Sequence, residues 1–438
     1  MTLGGAGTVA RLALGTGLVL ALWLGCAGSR SDEKVTLRFW GMGREGEVVA
    51  ELLPDFEREN PGIRVVVQQI PWSAAHEKLL TAHVGRSTPD VSQLGNTWVA
   101  EFAALRALEP LDEQLARSPS LRRDDFFPGI FDTNVIDDET YGLPWYVDTR
   151  VLFYRKDLLS EAGYDSMPAT WAEWKRAMAA VKRTAGEGKY AILLPSNEWT
   201  QPVIFGLQAG SPLIKENATR GAFSDPAFRT AFDFYLSLFR EGLAPAVTNN
   251  EVGNLYQEFE RGYFSMYITG PWNIGEFRRR LSPDMQGRWG TAPLPGPEPG
   301  VPGVSTAGGS SLVLYRHSKH KVEAWKLLEY LSRPEVQVRF YALTGDLPAH
   351  RAAWGDTLIT RDAEILAFGR QLRHTRPTPK IPEMEMISIE LQKQAEAVIR
   401  GVTPTEEALR GLDDYVDRAL EKRRWLLSKR GQLPAVTS

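Results

Sequence analysis

Cysteine is almost missing from this sequence: Cys26 is the only one in 438 residues. That excludes an intramolecular disulfide framework and any Cys-rich zinc pattern. Histidine is scarce too. The six, at 76, 83, 317, 320, 350 and 374, show no metal-binding spacing except His317 and His320, which sit among lysines and read as a solvated turn. An excess of one charge is also lacking, with Lys plus Arg at 51 and Asp plus Glu at 54. No basic face for nucleic acid is implied by that balance. Nucleophile motifs and phosphate-cradling glycine loops are absent. No metal and no cofactor is expected.

What is present starts at the N-terminus. Arg11 precedes the apolar run LALGTGLVLALWLG at 12–25. A charged start, a short apolar stretch and small residues at its end read as a signal peptide over 1–25. The run is short and terminal, which argues against a spanning helix. Leu24-Gly25-Cys26 resembles the lipobox of bacterial lipoproteins, with Trp23 departing from the Leu preferred there. The resemblance implies lipidation at Cys26, followed by a polar tether over 26–34. The Asn217-Ala218-Thr219 sequon has no meaning in such a lipoprotein.

The remainder is long enough for two α/β domains. Hydrophobic residues at 43% and charged residues at 24% are ordinary for a globular chain, and tryptophan is plentiful at 13. VTLRFWG (35–41) and IRVVVQQI (63–70) read as strands. Residues 45–60, 74–85 and 96–108 carry helical spacing, and a short strand opens at 89–91. This alternation predicts a parallel-type sheet with helices on both faces. YGLPWYVDTRVLFYRKDLL (141–159) reads as a strand pair around a turn. Helices are expected at 171–183, 226–241 and 254–261, and a Pro/Gly loop at 293–303. A strand over 305–315, helices at 321–332 and 334–345, and a helix-rich 382–428 complete the pass.

The order of VTLRFWG, NPGIRVVVQQIPW, TPDVSQLGNTW, YGLPWYVDTRVLFYRKDLL, FERGYFSMYITGPWNIG and GGSSLVLY resembles the family 1 extracellular solute-binding proteins of sugar importers, which include the maltose-binding proteins. The resemblance spans about Val35 to Gly401. It implies a two-lobed periplasmic-binding-protein fold of type II, with a ligand cleft between lobes joined by a multi-segment hinge. Lobes of 35–147 with 304–350, and 148–303 with 351–438, are expected. The crossings would fall near Tyr146–Arg150, Gly303–Ser311 and Ala349–Asp356. The implied function is capture of a mono- or disaccharide and delivery to the permease subunits of an ABC transporter, without catalysis. A monomer on the outer face of a membrane, periplasmic or extracellular, is expected.

A sugar ring needs aromatic platforms for its C–H face and short polar groups for its hydroxyls. Trp40 and Arg44 follow the first strand, and Asn96, Thr97 and Trp98 open a helix after another, where α/β sheets receive ligands. Trp145, Tyr146 and Asp148 lie in the first crossing. The Asp148 position matches an acidic residue that takes sugar hydroxyls in maltose-binding relatives, although an ion pair with Arg150 is the competing role. The resemblance makes Trp272 of ITGPWNIG a sugar-stacking residue, with Asn273 beside it, and brings Trp199 to the cleft. Gly309 and Ser310 let a ligand approach backbone. Trp72, Asp346 and Trp354 are weaker candidates. The stretch EMEMISIELQKQ (383–394) lacks the aromatics that some maltodextrin binders carry there, which favours a short sugar. The rivals are a polyamine or peptide binder, and a glycoside hydrolase using Asp148 and Glu198.

Overall fold

The computed structural model describes residues 34–429. The expected signal peptide, Cys26 and all of the expected tether but Lys34 lie outside the described residues.

Two separate sheets organise the chain. The first has six strands in the order Leu347–Pro348, Leu143–Asp148, Gly308–Leu314, Val91–Gly95, Val35–Met42 and Ile63–Ile70. Val35–Met42 runs parallel to both Ile63–Ile70 and Val91–Gly95, with Phe39 opposite Val67 and Val91. Gly308–Leu314 is antiparallel to its two neighbours. Alternation along the strands explains their burial. Leu37 and Phe39 fill one side, Trp40 and Met42 the other. On the edge strand, Ile63 and Val65 point inward while Arg64 and Val66 face solvent.

The second sheet has four strands, ordered Trp289–Ala292, Val151–Arg155, Phe264–Thr269 and Tyr190–Leu193. Helices pack its faces by spacing. In Pro226–Arg240, Phe228, Ala231, Phe232, Tyr235 and Leu236 are buried on one stripe. Pro226 starts that helix, where its missing N–H is harmless. Met384–Ile399 and Thr405–Ala419 add Ile387, Leu391, Leu412 and Val416 to the same core. Each such side chain contributes about 1.5–3 kcal/mol by leaving water.

The strand pair expected over 141–159 is not formed. Leu143–Asp148 and Val151–Arg155 belong to different sheets. The reason is visible in the link between them. The Thr149 hydroxyl donates to Thr306 O at 2.8 Å, Arg150 N donates to Ser305 Oγ at 3.1 Å, and Ser305 Oγ donates to Arg150 O at 2.9 Å. The link is satisfied by a second linking segment, so the strands do not fold back on each other.

That second segment, Ser305–Thr306, pairs in parallel with a third, Thr375–Arg376. The helix Ala363–Gln371, preceding the third, docks on the second sheet. Thr291 Oγ1 donates to Glu364 O at 2.6 Å, and Leu294 N donates to Gln371 Oε1 at 2.8 Å. The chain therefore crosses repeatedly between sheets, and the crossings are hydrogen-bonded to one another. The result is a two-lobed type II fold. Among the described residues no helix is long and apolar enough to cross a membrane.

Candidate functional site

A cleft of about 420 Å³ opens beside the crossings. The six-stranded lobe supplies Trp72, the turn Gly95–Trp98, Tyr146 and Asp148, with Thr306–Gly309 running along the base. The other lobe supplies Trp199, Thr200, Thr378 and Glu385. The first lobe's contribution comes from carboxyl ends of parallel strands, where loops and helix starts gather.

The floor is a buried polar network. Gln93 Oε1 accepts from Met42 N at 2.7 Å, and Gln93 Nε2 donates to Tyr146 Oη and Ser310 Oγ, both at 3.2 Å. The Tyr146 hydroxyl donates to Glu45 Oε1 at 2.8 Å. Burial, reinforced by the Glu45 charge, holds the Tyr146 phenol well above its usual range. Asp346 lies near the same network, and burial with the Glu45 charge pushes its carboxyl up to about 7. Gly309 has φ +130°, and a Cβ there would stand 2.2 Å from Tyr146 O, so only glycine lets these strands meet.

The aromatic corner is Trp72 against Trp98, ring centroids 5.8 Å apart at 61°. Behind it His76 packs on Trp98 at 5.0 Å and meets Glu101 at 2.6 Å. Gly43, at φ +50°, leaves room for the Trp72 indole, which would stand 2.8 Å from a Cβ.

The structure brings Asn96, Thr97, Trp98, Tyr146, Asp148, Trp199 and Gly309 to the cleft. Asn96 Nδ2 is anchored on Ala307 O at 3.1 Å, and Thr97 stands exposed at the rim. Asp148 is ion-paired with Arg150, itself a cleft residue. The Arg150 guanidinium lies 4.6 Å from the Trp272 ring centre, and Trp272 is 47% exposed. Trp272 thus stands next to the cleft without forming its wall in this arrangement.

Other expected residues are placed elsewhere. Trp145 is fully buried, stacked on Phe340 at 4.4 Å and edge-on to Phe39 at 5.9 Å, because the register shift between Ser310 and Ser311 makes it the extra residue of a bulge and turns it into the same core cluster that Tyr146 borders. Trp40 is buried in the cluster with Leu79 and Val99, with Lys78 Nζ 5.0 Å from its ring centre. Arg44 is exposed and pairs with Glu47 at 3.1 Å. Asn273 is buried within the second lobe, donating to Thr269 Oγ1 at 2.7 Å and accepting from Tyr256 Oη at 3.0 Å. Ser310 lies under the floor and is 2% exposed. Of the weaker candidates, Trp72 joins the wall, and Trp354 lies away from the cleft, its Nε1 donating to Pro348 O at 2.9 Å.

Sequence reasoning passed over Glu45, Gln93, Thr306, Thr378 and Glu385. Glu45 sits in GREGE, which reads as a solvated helix face, and Gln93 is an inward position on a strand. Only the strand period of Ser92-Gln93-Leu94 could have flagged the latter. Among the described residues no group of three or more His, Cys, Asp and Glu side chains is placed to hold a metal ion.

Comparison with known proteins bears on this geometry. Over 90% of this chain and 99% of its own, the sugar-binding protein MalE of Xanthomonas citri is 51% identical, with a TM-score of 0.88. The GacH receptor of Streptomyces glaucescens, solved unliganded and with acarbose, is 26% identical over 89% of this chain and 99% of its own, TM-score 0.73. A galactooligosaccharide-binding protein of Bacillus subtilis is 25% identical over 400 residues, 86% of this chain and 88% of its own. These relatives are binding proteins, not enzymes. The profile of the bacterial extracellular solute-binding proteins matches residues 42–338, and with a cleft of this build between hinged lobes, the chain belongs to that family.

Proposed function

We propose that this protein captures a mono- or disaccharide in the cleft and delivers it to the membrane subunits of an ABC importer, without chemical change. The observation that carries this reading is the pairing of aromatic rings with a satisfied polar floor across two hinged lobes. Trp72, Trp98 and Trp199 offer ring faces, and Tyr146, Asp148 and Asn96 offer polar groups. Closure would carry Trp272 and its Arg150 partner toward the ligand. Contacts to both lobes then favour the closed form, which is what shifts a hinge equilibrium. A micromolar complex needs about 8 kcal/mol in all, and a few stacked rings with satisfied hydrogen bonds supply that.

The lobes are assigned as 35–147 with 304–350, and 148–303 with 351–438. Export as a monomer held to the membrane through a lipid on Cys26 is part of the proposal, supported by the Leu24-Gly25-Cys26 sequence behind an apolar run. A polyamine is the second reading. Asp148 and Glu385 line the cleft and Glu45 underlies it, which a cationic ligand could use.

Thermal-shift scans against mono- and disaccharides, amino acids, polyamines and metals test the assignment. A ligand at 100 times its dissociation constant adds about 2.7 kcal/mol. One sugar class should raise the midpoint, and Trp272→Ala should remove about half of that rise. A response to polyamines alone would replace the sugar.

A further inference from the structure

A second cavity, of about 770 Å³, shares no lining residue with the cleft. One side is Phe127, Pro128, Arg351 and Trp354; the other is Leu366, Gly369, Arg370 and Arg373. Phe127 and Pro128 belong to the lobe of the first sheet, whereas Leu366 to Arg370 lie on the helix docked on the second. The cavity therefore bridges the lobes.

Its chemistry is lopsided. Arg351, Arg370 and Arg373 all border it, and no carboxylate does. Arg351 Nη1 reaches only the backbone oxygen of Asp124, at 3.3 Å. Neither Arg370 nor Arg373 has an ion-pair partner among the described residues. The nearby acids are already engaged. Asp362 and Glu364, at the start of the same helix, both hold Arg278, at 2.7 and 3.0 Å. All three arginines are exposed, and the planar forks of guanidiniums fit phosphate or carboxylate oxygens.

The opposite character comes from the aromatic wall. Trp354 meets Phe127 edge-on at 5.7 Å and 89°, and its ring rests on Gly369, where a Cβ would come within 2.9 Å. With its N–H already given to Pro348 O, the indole presents only carbon to the cavity. Leu366, 37% exposed, extends that surface.

We infer that this groove is a binding site for a small organic polyanion, a phosphorylated or polycarboxylated compound with an apolar body. The guanidiniums of Arg351, Arg370 and Arg373 hold the anionic group and the Trp354–Leu366 wall takes the body. A cavity of this size suits such a ligand. Occupancy is coupled to the sugar cleft. Arg373 is followed by Thr375–Arg376, which pairs with Ser305–Thr306, and Thr306 and Thr378 line the cleft.

The test is a calorimetric titration of the full chain, in nonionic detergent at fixed ionic strength, with phenyl phosphate, citrate and inorganic phosphate. Saturable binding of phenyl phosphate or citrate is expected, tighter than that of inorganic phosphate. The double variant Arg370→Ala, Arg373→Ala should weaken it by about tenfold or more. It should keep its unliganded melting midpoint and its sugar response, because neither arginine touches the cleft. Saturating anion should also change the apparent sugar affinity, and sugar the anion affinity, by the same factor. Binding unchanged in the double variant, a signal matched by added sodium chloride, or equal affinity for inorganic phosphate would overturn the organic-polyanion site. A sugar affinity indifferent to saturating anion would overturn the coupling.

Discussion

On the side of the six-stranded sheet, the cleft rests on side chains that already hold one another: Gln93, Tyr146, Ser310 and Glu45 are joined by hydrogen bonds and closed to solvent. On the side of the four-stranded sheet, the residues facing it are half-buried or exposed rings and charges, Trp199, Trp272 and Arg150, held by ring packing and one ion pair. The first wall has paid its ordering entropy during folding and defines geometry. The second keeps surface in reserve for the ligand. A change in the first wall should therefore appear as lost stability, and a change in the second as lost affinity at nearly constant stability.

The sharpest way to break the first wall is Gly309→Ala. With φ +130° and a Cβ 2.2 Å from Tyr146 O, the strand must separate from its neighbour. A loss of about 3 kcal/mol or more is expected in urea unfolding, the sum of a strained backbone and a displaced strand. Tyr146→Phe is milder. It strands Glu45 Oε1 and takes one of the two acceptors of Gln93 Nε2, which keeps Ser310 Oγ, and unsatisfied buried groups cost about 1–3 kcal/mol. The same unfolding curves read it, and an unchanged midpoint would mean that the floor is not a stabilising unit.

Beside the second wall, Trp272→Ala should weaken sugar binding about tenfold, as expected for one stacking ring lost from the closed form. Because Trp272 is 47% exposed, the unliganded midpoint should hardly move. A large drop in stability with intact affinity would reverse the comparison. A separate test concerns pH. Asp346 titrates near 7 in the folded chain against an ordinary 3.8, chiefly because it is buried. A folded pKa raised above the unfolded one means the folded state binds more protons between those values. Its contribution is thus fully present below about pH 4 and is lost as pH rises through about 7. Asp346→Asn should remove that part of the decline in midpoints measured from pH 5 to 8.

Much of the fold was legible in the sequence because periodicity reports burial. The strands at 35–42 and 63–70 and the helices at 171–185 and 226–240 follow the expected pattern nearly residue for residue. The strands at 190–193, 264–269 and 289–292 were not anticipated, since short, mostly buried segments lack the alternation that marks a half-exposed strand. Nor does local pattern say which sheet a strand joins, and so 141–159 read as a hairpin. The candidate site divides in the same way. Loop residues Asn96 to Trp98 and Trp199 could be assigned to the cleft from position after a strand or from family resemblance. Trp145 and Tyr146 are adjacent, equally aromatic and in one core cluster, and the bulge that buries Trp145 while Tyr146 reaches the cleft leaves no mark in the local pattern.

The most direct test of the account is a calorimetric titration of the exported chain with a disaccharide series, a long maltodextrin and spermidine. One-to-one binding of a mono- or disaccharide, stronger than that of the long maltodextrin and lost to spermidine, is the result predicted. Saturable binding of spermidine with none of any sugar would contradict it.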